Sequence, residues 1–423
     1  MAFTFSGLNF VGDVSAQAVF TPPPSYYLWS WGRNNNGQLG LGNTTYYSSP
    51  KQIGSLTTWS KISVVGNFAV SLKTDGTMWS WGLNEQGRLG VGDTANRSSP
   101  IQIGALTTWL SVAAGYNHSV TLKTDSTLWS WGGNNFGQLG LGNTTDRSSP
   151  VQIGALTNWL SISAAGYNNL ALKTDGTMWS WGRNSYGRLG LGDSTNRSSP
   201  TQIGGLTTWL TIAAGDYHGM AVKTDGTLWS WGFGGNGRLG LGNTTTLSSP
   251  VQIGALTTWS KIAAGGNHSI AVKTDGTLWT WGRNGDGELG SNNTTQYLSP
   301  VQVGALTTWL TIAAGYNHSM AVKTDGTMWT WGRNISGELG SNNTTAYSSP
   351  KQVGALTTWL TIAAGYNHSM AVKTDGTLWS WGLGSLGRLG LGDTNNRSSP
   401  VQIGALTTWQ SIAAGRRHSL AIG

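Results

Sequence analysis

The chain contains no cysteine, which excludes a disulfide framework and any thiolate metal site. Charge is scarce as well: only 10% of its 423 residues are Asp, Glu, Lys or Arg. Low charge does not mean disorder here, because 24 Trp supply ample apolar area to offset the entropy of ordering. No apolar run approaches the ~18 residues of a membrane-spanning helix. Proline is confined to a few places. Of 11 Pro, eight recur at a fixed interval and the others are Pro22, Pro23 and Pro24.

What is abundant is periodic. Trp-Ser/Thr-Trp-Gly begins at Trp29 and recurs every 50 residues up to Trp379. A Ser-Pro pair ends at Pro50 and repeats in step to Pro400, and a third Trp runs from Trp59 to Trp409. These three positions account for all 24 Trp. A period of this length signals a repeat architecture, so the usual estimate of domain number from length does not apply.

Each unit reads as four short strands. In 309–332, Trp-Leu-Thr-Ile-Ala-Ala-Gly precedes Ser-Met-Ala-Val-Lys, a Thr-Asp-Gly-Thr turn and Met-Trp-Thr-Trp-Gly. Asp-Gly between short alternating runs is a strong hairpin signal, since a tight primed turn needs positive φ. Pro-Val-Gln-Val supplies the fourth strand, giving the content of a propeller blade. The expected fold is therefore all-β, a closed propeller of eight four-stranded blades spanning 26–423. The alternative is seven blades plus a stray unit.

The chain ends decide between them. The aspartate turn occurs seven times, from Asp75 to Asp375, whereas its flanking strands occur eight times. The unpaired halves contain Leu28, Trp29 and Trp31 at one end and Leu420 and Ile422 at the other. Pairing of these N- and C-terminal strands would close the ring and remove an exposed sheet edge.

The segment Ala-Ala-Gly-Tyr-Asn-His-Ser-Met-Ala-Val-Lys-Thr-Asp-Gly-Thr-Leu-Trp-Ser-Trp-Gly, followed by Gly-Arg-Leu-Gly-Leu-Gly-Asp, resembles the repeat of the regulator of chromosome condensation family. The resemblance covers 26–423 and implies a propeller, usually of seven blades, that binds partners on one face. Family members include a GTPase exchange factor that contacts chromatin and a secreted inhibitor of β-lactamase. The units here show no inserted loops of the kind exchange activity uses. Many similar proteins are bacterial or phage-borne.

The residues offer little catalytic chemistry. All six His, from His118 to His418, share one repeat position, and the reading is a structural His hydrogen-bonded within its blade rather than a metal ligand. The non-repeated acids Glu85, Asp146, Asp216 and Asp286 fall in different units, and no Gly-x-Ser-x-Gly elbow appears. No enzyme activity, cofactor or metal is expected. The net charge of +8 rests on arginines at loop positions, including Arg88, Arg188, Arg238 and Arg388, and reads as a solvated rim or a positive belt. Nucleic acid is not the expected partner.

The four residues after each Trp-x-Trp-Gly vary most between units. Asn35, Phe136, Arg183, Tyr186, Phe233, Arg333, Ile335 and Leu386 are the candidate binding residues, since exposed aromatic and Arg anchors favour recognition. The Asn-Thr-Thr copies read as turn chemistry rather than glycosylation sites. Residues 1–25 stand outside the repeat. Phe3, Phe5, Leu8, Phe10 and Val11 form a small apolar set ahead of the Pro-rich spacer. No basic segment and apolar core of a signal peptide occur there, so exit by another route such as lysis is expected. The family resemblance leads to a non-enzymatic phage virion protein on the tail or capsid surface, extracellular after release. Its arm would hold other virion proteins and its propeller would face a host-surface glycan or protein. The alternatives are a protein-interaction propeller in or secreted by a bacterium, including a GTPase-regulator-like role, and, ranked behind it, a glycan-active enzyme.

Overall fold

The computed structural model describes residues 26–423. The arm residues Phe3, Phe5, Leu8, Phe10 and Val11 lie outside the described residues. The described chain forms eight antiparallel sheets of four strands each, one more blade than the family resemblance implies. A representative blade runs Trp309–Ala314, His318–Lys323, Met328–Gly332 and Tyr347–Gln352. The first strands of successive blades lie against one another around the axis, so small Ala and Gly side chains suit them.

The eighth sheet is assembled from both chain ends. Leu28–Gly32 pairs antiparallel with His418–Ile422, placing Leu28 opposite Ile422 and Trp31 opposite Ser419. The outer strand Tyr47–Gln52 and the inner strand Ser411–Ala414 complete this closing blade. Trp29 meets Trp409 edge to face across the chain ends, with ring centroids 5.9 Å apart. The expected closure is thus realised in register, and no sheet presents an open side towards a missing blade.

Tryptophan builds the wedge between blades. Trp331 is fully buried and its Nε1 donates to the Glu288 carbonyl of the preceding blade at 2.8 Å. Trp31 does the same to the Arg388 carbonyl at 2.8 Å, across the chain closure. The second Trp of each Trp-x-Trp pair, from Trp31 to Trp381, therefore satisfies its polar atom while removing a large apolar surface from water, whereas the indole N–H of buried Trp309 finds no partner. Trp309 packs edge-on against both Trp329 and Trp331, at 6.2 and 6.3 Å.

The aspartate turn repeats as one device. Asp325 Oδ1 accepts from the Thr327 N–H at 2.9 Å and the Thr327 hydroxyl at 2.6 Å, and the Trp329 indole donates to that hydroxyl at 3.0 Å. Lys323 lies 4.0 Å from the Trp329 ring centroid, a cation held over an aromatic face. Gly326 sits at φ 75°, and a Cβ there would run into the Thr357 carbonyl of the next blade. In one unit Ser126 takes the same positive φ, 60°.

Histidine does not act within its blade, contrary to expectation. His318 Nε2 meets Ser369 Oγ of the next blade at 3.0 Å, and that hydroxyl donates to the Glu338 carbonyl at 2.9 Å. The same joint links His218 to Ser269, His268 to Ser319 and His368 to Ser419. The partner lies 51 residues away, one blade on, because the strand order sets side chains of neighbouring blades face to face. Burial holds these imidazoles neutral, lowering His318 to about 4 and His268 to about 3.

Candidate functional site: the loop face

One end of the ring carries the aspartate turns, and the other carries all the divergent loops. Two loop families meet there. The first follows each Trp-x-Trp-Gly; the second is the turn between the first two strands of a blade. Backbone bonds join them: Arg33 N–H to the Arg417 carbonyl at 3.1 Å, Arg183 to Tyr167 at 3.0 Å and Phe233 to Tyr217 at 2.9 Å. The result is one continuous surface around the mouth of the central channel.

Aromatic and arginine side chains converge on one sector of it. Phe136 packs edge-on against Tyr167 at 5.3 Å, and the Arg183 guanidinium lies 5.0 Å from the Phe136 centroid. Tyr167 in turn meets Tyr116 at 5.5 Å. The Tyr116 hydroxyl donates to Asp216 Oδ2 at 2.8 Å, across two blades. Burial and the Asp216 carboxylate both push the Tyr116 phenol up, so it stays a donor. On the next residue Tyr217 approaches Phe233 at 6.3 Å, and Tyr186 lies 4.8 Å from Phe233. Tyr186 and Tyr217 remain 50% and 43% exposed.

Of the candidate binding residues, the structure thus unites Phe136, Arg183, Tyr186 and Phe233. The others sit on the same face but in other sectors. Ile335, 63% exposed, and half-buried Arg333 belong to the 309–352 blade. Leu386 is half-buried on the 359–402 blade at φ 66°. Asn35, on the closing blade, accepts from Gln38 Nε2 at 3.2 Å. Tyr116, Tyr167 and Tyr217 were not singled out from the sequence. The signal was present: the two-residue window before the His position reads Gly66-Asn67, Tyr116-Asn117, Gly166-Tyr167, Asp216-Tyr217 and so on to Arg416-Arg417.

The arginines expected at a solvated rim divide into two kinds. Arg88, Arg188, Arg238 and Arg388 are buried, which corrects the rim reading for that position. Arg238 donates to the Gly266 carbonyl at 3.2 Å and Asn267 Oδ1 at 2.9 Å, bracing the inner turn of the next blade. Burial lowers this guanidinium to about 10. Where the position holds Glu, the acid is also buried. Glu288 accepts from Arg283 at 2.7 Å and from the Asp286 N–H at 2.8 Å. Burial raises both Glu288 and Glu338 above the ordinary carboxylate range.

The non-repeated acids each have a structural partner. Glu85 pairs with Arg88 at 3.5 Å, Asp286 pairs with Arg283 at 3.1 Å, and Asp146 caps the Asn134 N–H at 2.7 Å. Asn43 Oδ1 accepts from the Thr45 N–H at 2.9 Å, the turn role expected of the Asn-Thr-Thr copies. Among the described residues no group of three or more His, Asp or Glu gathers as metal ligands would. No helix of the described chain is long and apolar enough to cross a membrane.

Fold and site together define a closed eight-bladed β-propeller with one repetitive face and one varied face rich in aromatics and arginine. The chain belongs to the regulator of chromosome condensation repeat family. The RCC1-like domain matches residues 25–261, and the regulator of chromosome condensation (RCC1) repeat matches 275–322, 325–372 and 375–422. Among curated proteins none matches the chain by sequence. Human WBSCR16 superposes with a TM-score of 0.67 at 20% identity, covering 94% of this chain and 99% of that one. Prp20p from Saccharomyces cerevisiae superposes at 0.66 with 22% identity, covering 95% of this chain and 92% of that one. At such identities the likeness shows the fold alone.

Proposed function

We infer that the chain is a protein-binding propeller that docks its partner on the loop face, over the aromatic sector. The observation that carries this reading is the patch of Phe136, Tyr167, Tyr186, Tyr217 and Phe233 interleaved with Arg183. Tyr and Arg are the residue types that dominate binding energy at interfaces, and these are held by neighbours yet open to solvent. The relatives support it: the Prp20p structure is described with binding to Gsp1p and histones, and yeast RCC1 is seen bound to Kap60.

The ring has a polarity that suits attachment on one side and recognition on the other. Tyr27 exchanges two backbone hydrogen bonds with Gly423, both 3.0 Å, so the described chain begins at the turn face, opposite the varied loops. In the finer reading these residues hold the propeller on a phage particle, and purified particles analysed by mass spectrometry should contain the chain. Their lack of it would end that finer reading and leave the docking surface intact.

The docking surface is tested by placing a photocrosslinking amino acid at Tyr186 or, on the opposite face, at Leu210, in the producing cells. A discrete protein adduct from position 186 and none from 210 is expected. Adducts from 210 alone would overturn the assignment.

A further inference from the structure

The loop face of the closing blade gathers arginines from both ends of the chain. Its inner turn reads Arg416-Arg417, where other blades place Gly, Tyr, Asp or Asn. Arg33, from the opposite end of the chain, is bonded through its N–H to the Arg417 carbonyl at 3.1 Å. Beneath them the buried Arg388 spends its donors on the protein, reaching the Arg416 carbonyl at 3.1 Å and the Ser385 hydroxyl at 3.0 Å. Four arginines therefore stand on adjoining stretches of backbone where the chain closes on itself.

The outer three have no protein acceptor among the described residues. Among the described residues, the side chains of Arg33, Arg416 and Arg417 make no hydrogen bond and no ion pair. Elsewhere on this face Arg283 has Asp286 and Glu288, and Arg97, Arg197 and Arg397 pair with Asp93, Asp193 and Asp393. The positive field is felt by its neighbours. His418 is lowered to about 4 by burial and then by Arg33 and Arg388, and Arg388 to about 10 by burial and then by Arg417. Arg416 also lies 5.1 Å from the centroid of Tyr366, which is stacked on Tyr316 at 4.2 Å. That contact holds one guanidinium in place while leaving its edge donors available.

Each guanidinium presents planar donors that match phosphate oxygens two at a time. The charge is also limited in extent. Glu85 on the following blade and Glu338 and Glu288, two and three blades back, bound it, so it forms a spot and not the track a nucleic acid backbone follows. A spot of three open arginines fits one dianionic group. We propose that Arg33, Arg416 and Arg417 form a binding site for a single phosphate monoester carried on a side chain of the docked protein partner. This rests on the protein-docking reading for the source of the phosphate, not for the site itself.

The experiment titrates the full chain by calorimetry with inorganic phosphate, with a phosphoserine tripeptide and its unphosphorylated form, and with a single-stranded oligonucleotide. Phosphoserine peptide binding that weakens at least about tenfold in R416Q/R417Q is expected, since loss of one good charge-assisted contact is of that order. R33Q should weaken it as well, whereas Leu210→Ala, on the turn face, should leave it unchanged. No saturable phosphate binding, or binding indifferent to the arginine changes, would overturn the site. An oligonucleotide that binds more tightly than the peptide would replace the single-phosphate proposal by a nucleic acid one. Phosphate binding together with failed crosslinking at position 186 would keep the site and refute the docking reading. Circular dichroism of each variant separates lost binding from lost fold.

Discussion

The joints between blades fall into two halves of the ring. From the 209–252 blade round to the closing blade, every joint has a His and a Ser in contact: His218–Ser269, His268–Ser319, His318–Ser369 and His368–Ser419. From the closing blade through the 159–202 blade, none is of that form. His418 faces a blade with Ala69 and both its ring nitrogens lack a partner; Phe68 leaves the Ser119 hydroxyl unpaired. His118 meets Asn169 instead of Ser at 2.9 Å, and Asn168 stands where the next His would be. The broken half also carries most of the aromatic patch, Tyr116, Phe136, Tyr167 and Tyr186. Departure from the repeat inside the ring accompanies departure on its loop face. The intact half shows what the fold needs, and the other half shows how much of it can be given up while Trp packing persists.

Acid challenges the two halves unequally and has the largest expected effect. All six His are buried and shifted down, to about 4 at His118, His318 and His418 and about 3 at His218 and His268. The folded ring keeps them neutral while the unfolded chain protonates near 6.5, so the unfolded state binds more protons below that pH. Their contribution is complete above 6.5 and declines as pH falls, by up to about 1.4 kcal/mol per pH unit for each imidazole. Denaturant melts between pH 7.5 and 5 should show this loss. A flat profile would contradict buried neutral imidazoles.

Trp31→Ala acts at the closure, where the broken and intact halves meet. It removes a fully buried side chain and its bond to the Arg388 carbonyl, and should cost about 3–5 kcal/mol in urea unfolding. A cost below about 1 kcal/mol would mean that the chain ends are not stitched by this side chain.

Ala69→Ser repairs one broken joint and has the smallest expected effect. It places a hydroxyl where His418 Nε2 has no partner, and should stabilise the ring by about 1 kcal/mol. Destabilisation instead would show that the broken half has repacked around the missing hydroxyl.

Much of the fold was legible because a propeller blade is a local object. The Trp-x-Trp-Gly run, the aspartate turn and the Ser-Pro strand each follow from neighbours within a few residues, and seven turns between eight strand pairs imply closure. The loop-face residues were legible only in part. Variation pointed to Phe136, Tyr186 and Phe233, but Tyr116 and Tyr167 lie in a second window whose nearness depends on how the two loop families meet. Arg88 and Arg238 looked exposed because Gly-Arg-Leu-Gly reads as a loop, yet the next blade covers them.

By itself, then, the sequence determined the blade, its number and the strand that each chain end had to find. Those follow from periodicity and turn chemistry, which act over short separations. Only the tertiary structure decided what each blade does to the next, His318 to Ser369 and Arg238 to Gly266, and that the closing blade joins Arg33 to Arg417. Such contacts join residues from about thirty to almost four hundred positions apart, and closing the ring is what brings them within hydrogen-bonding reach.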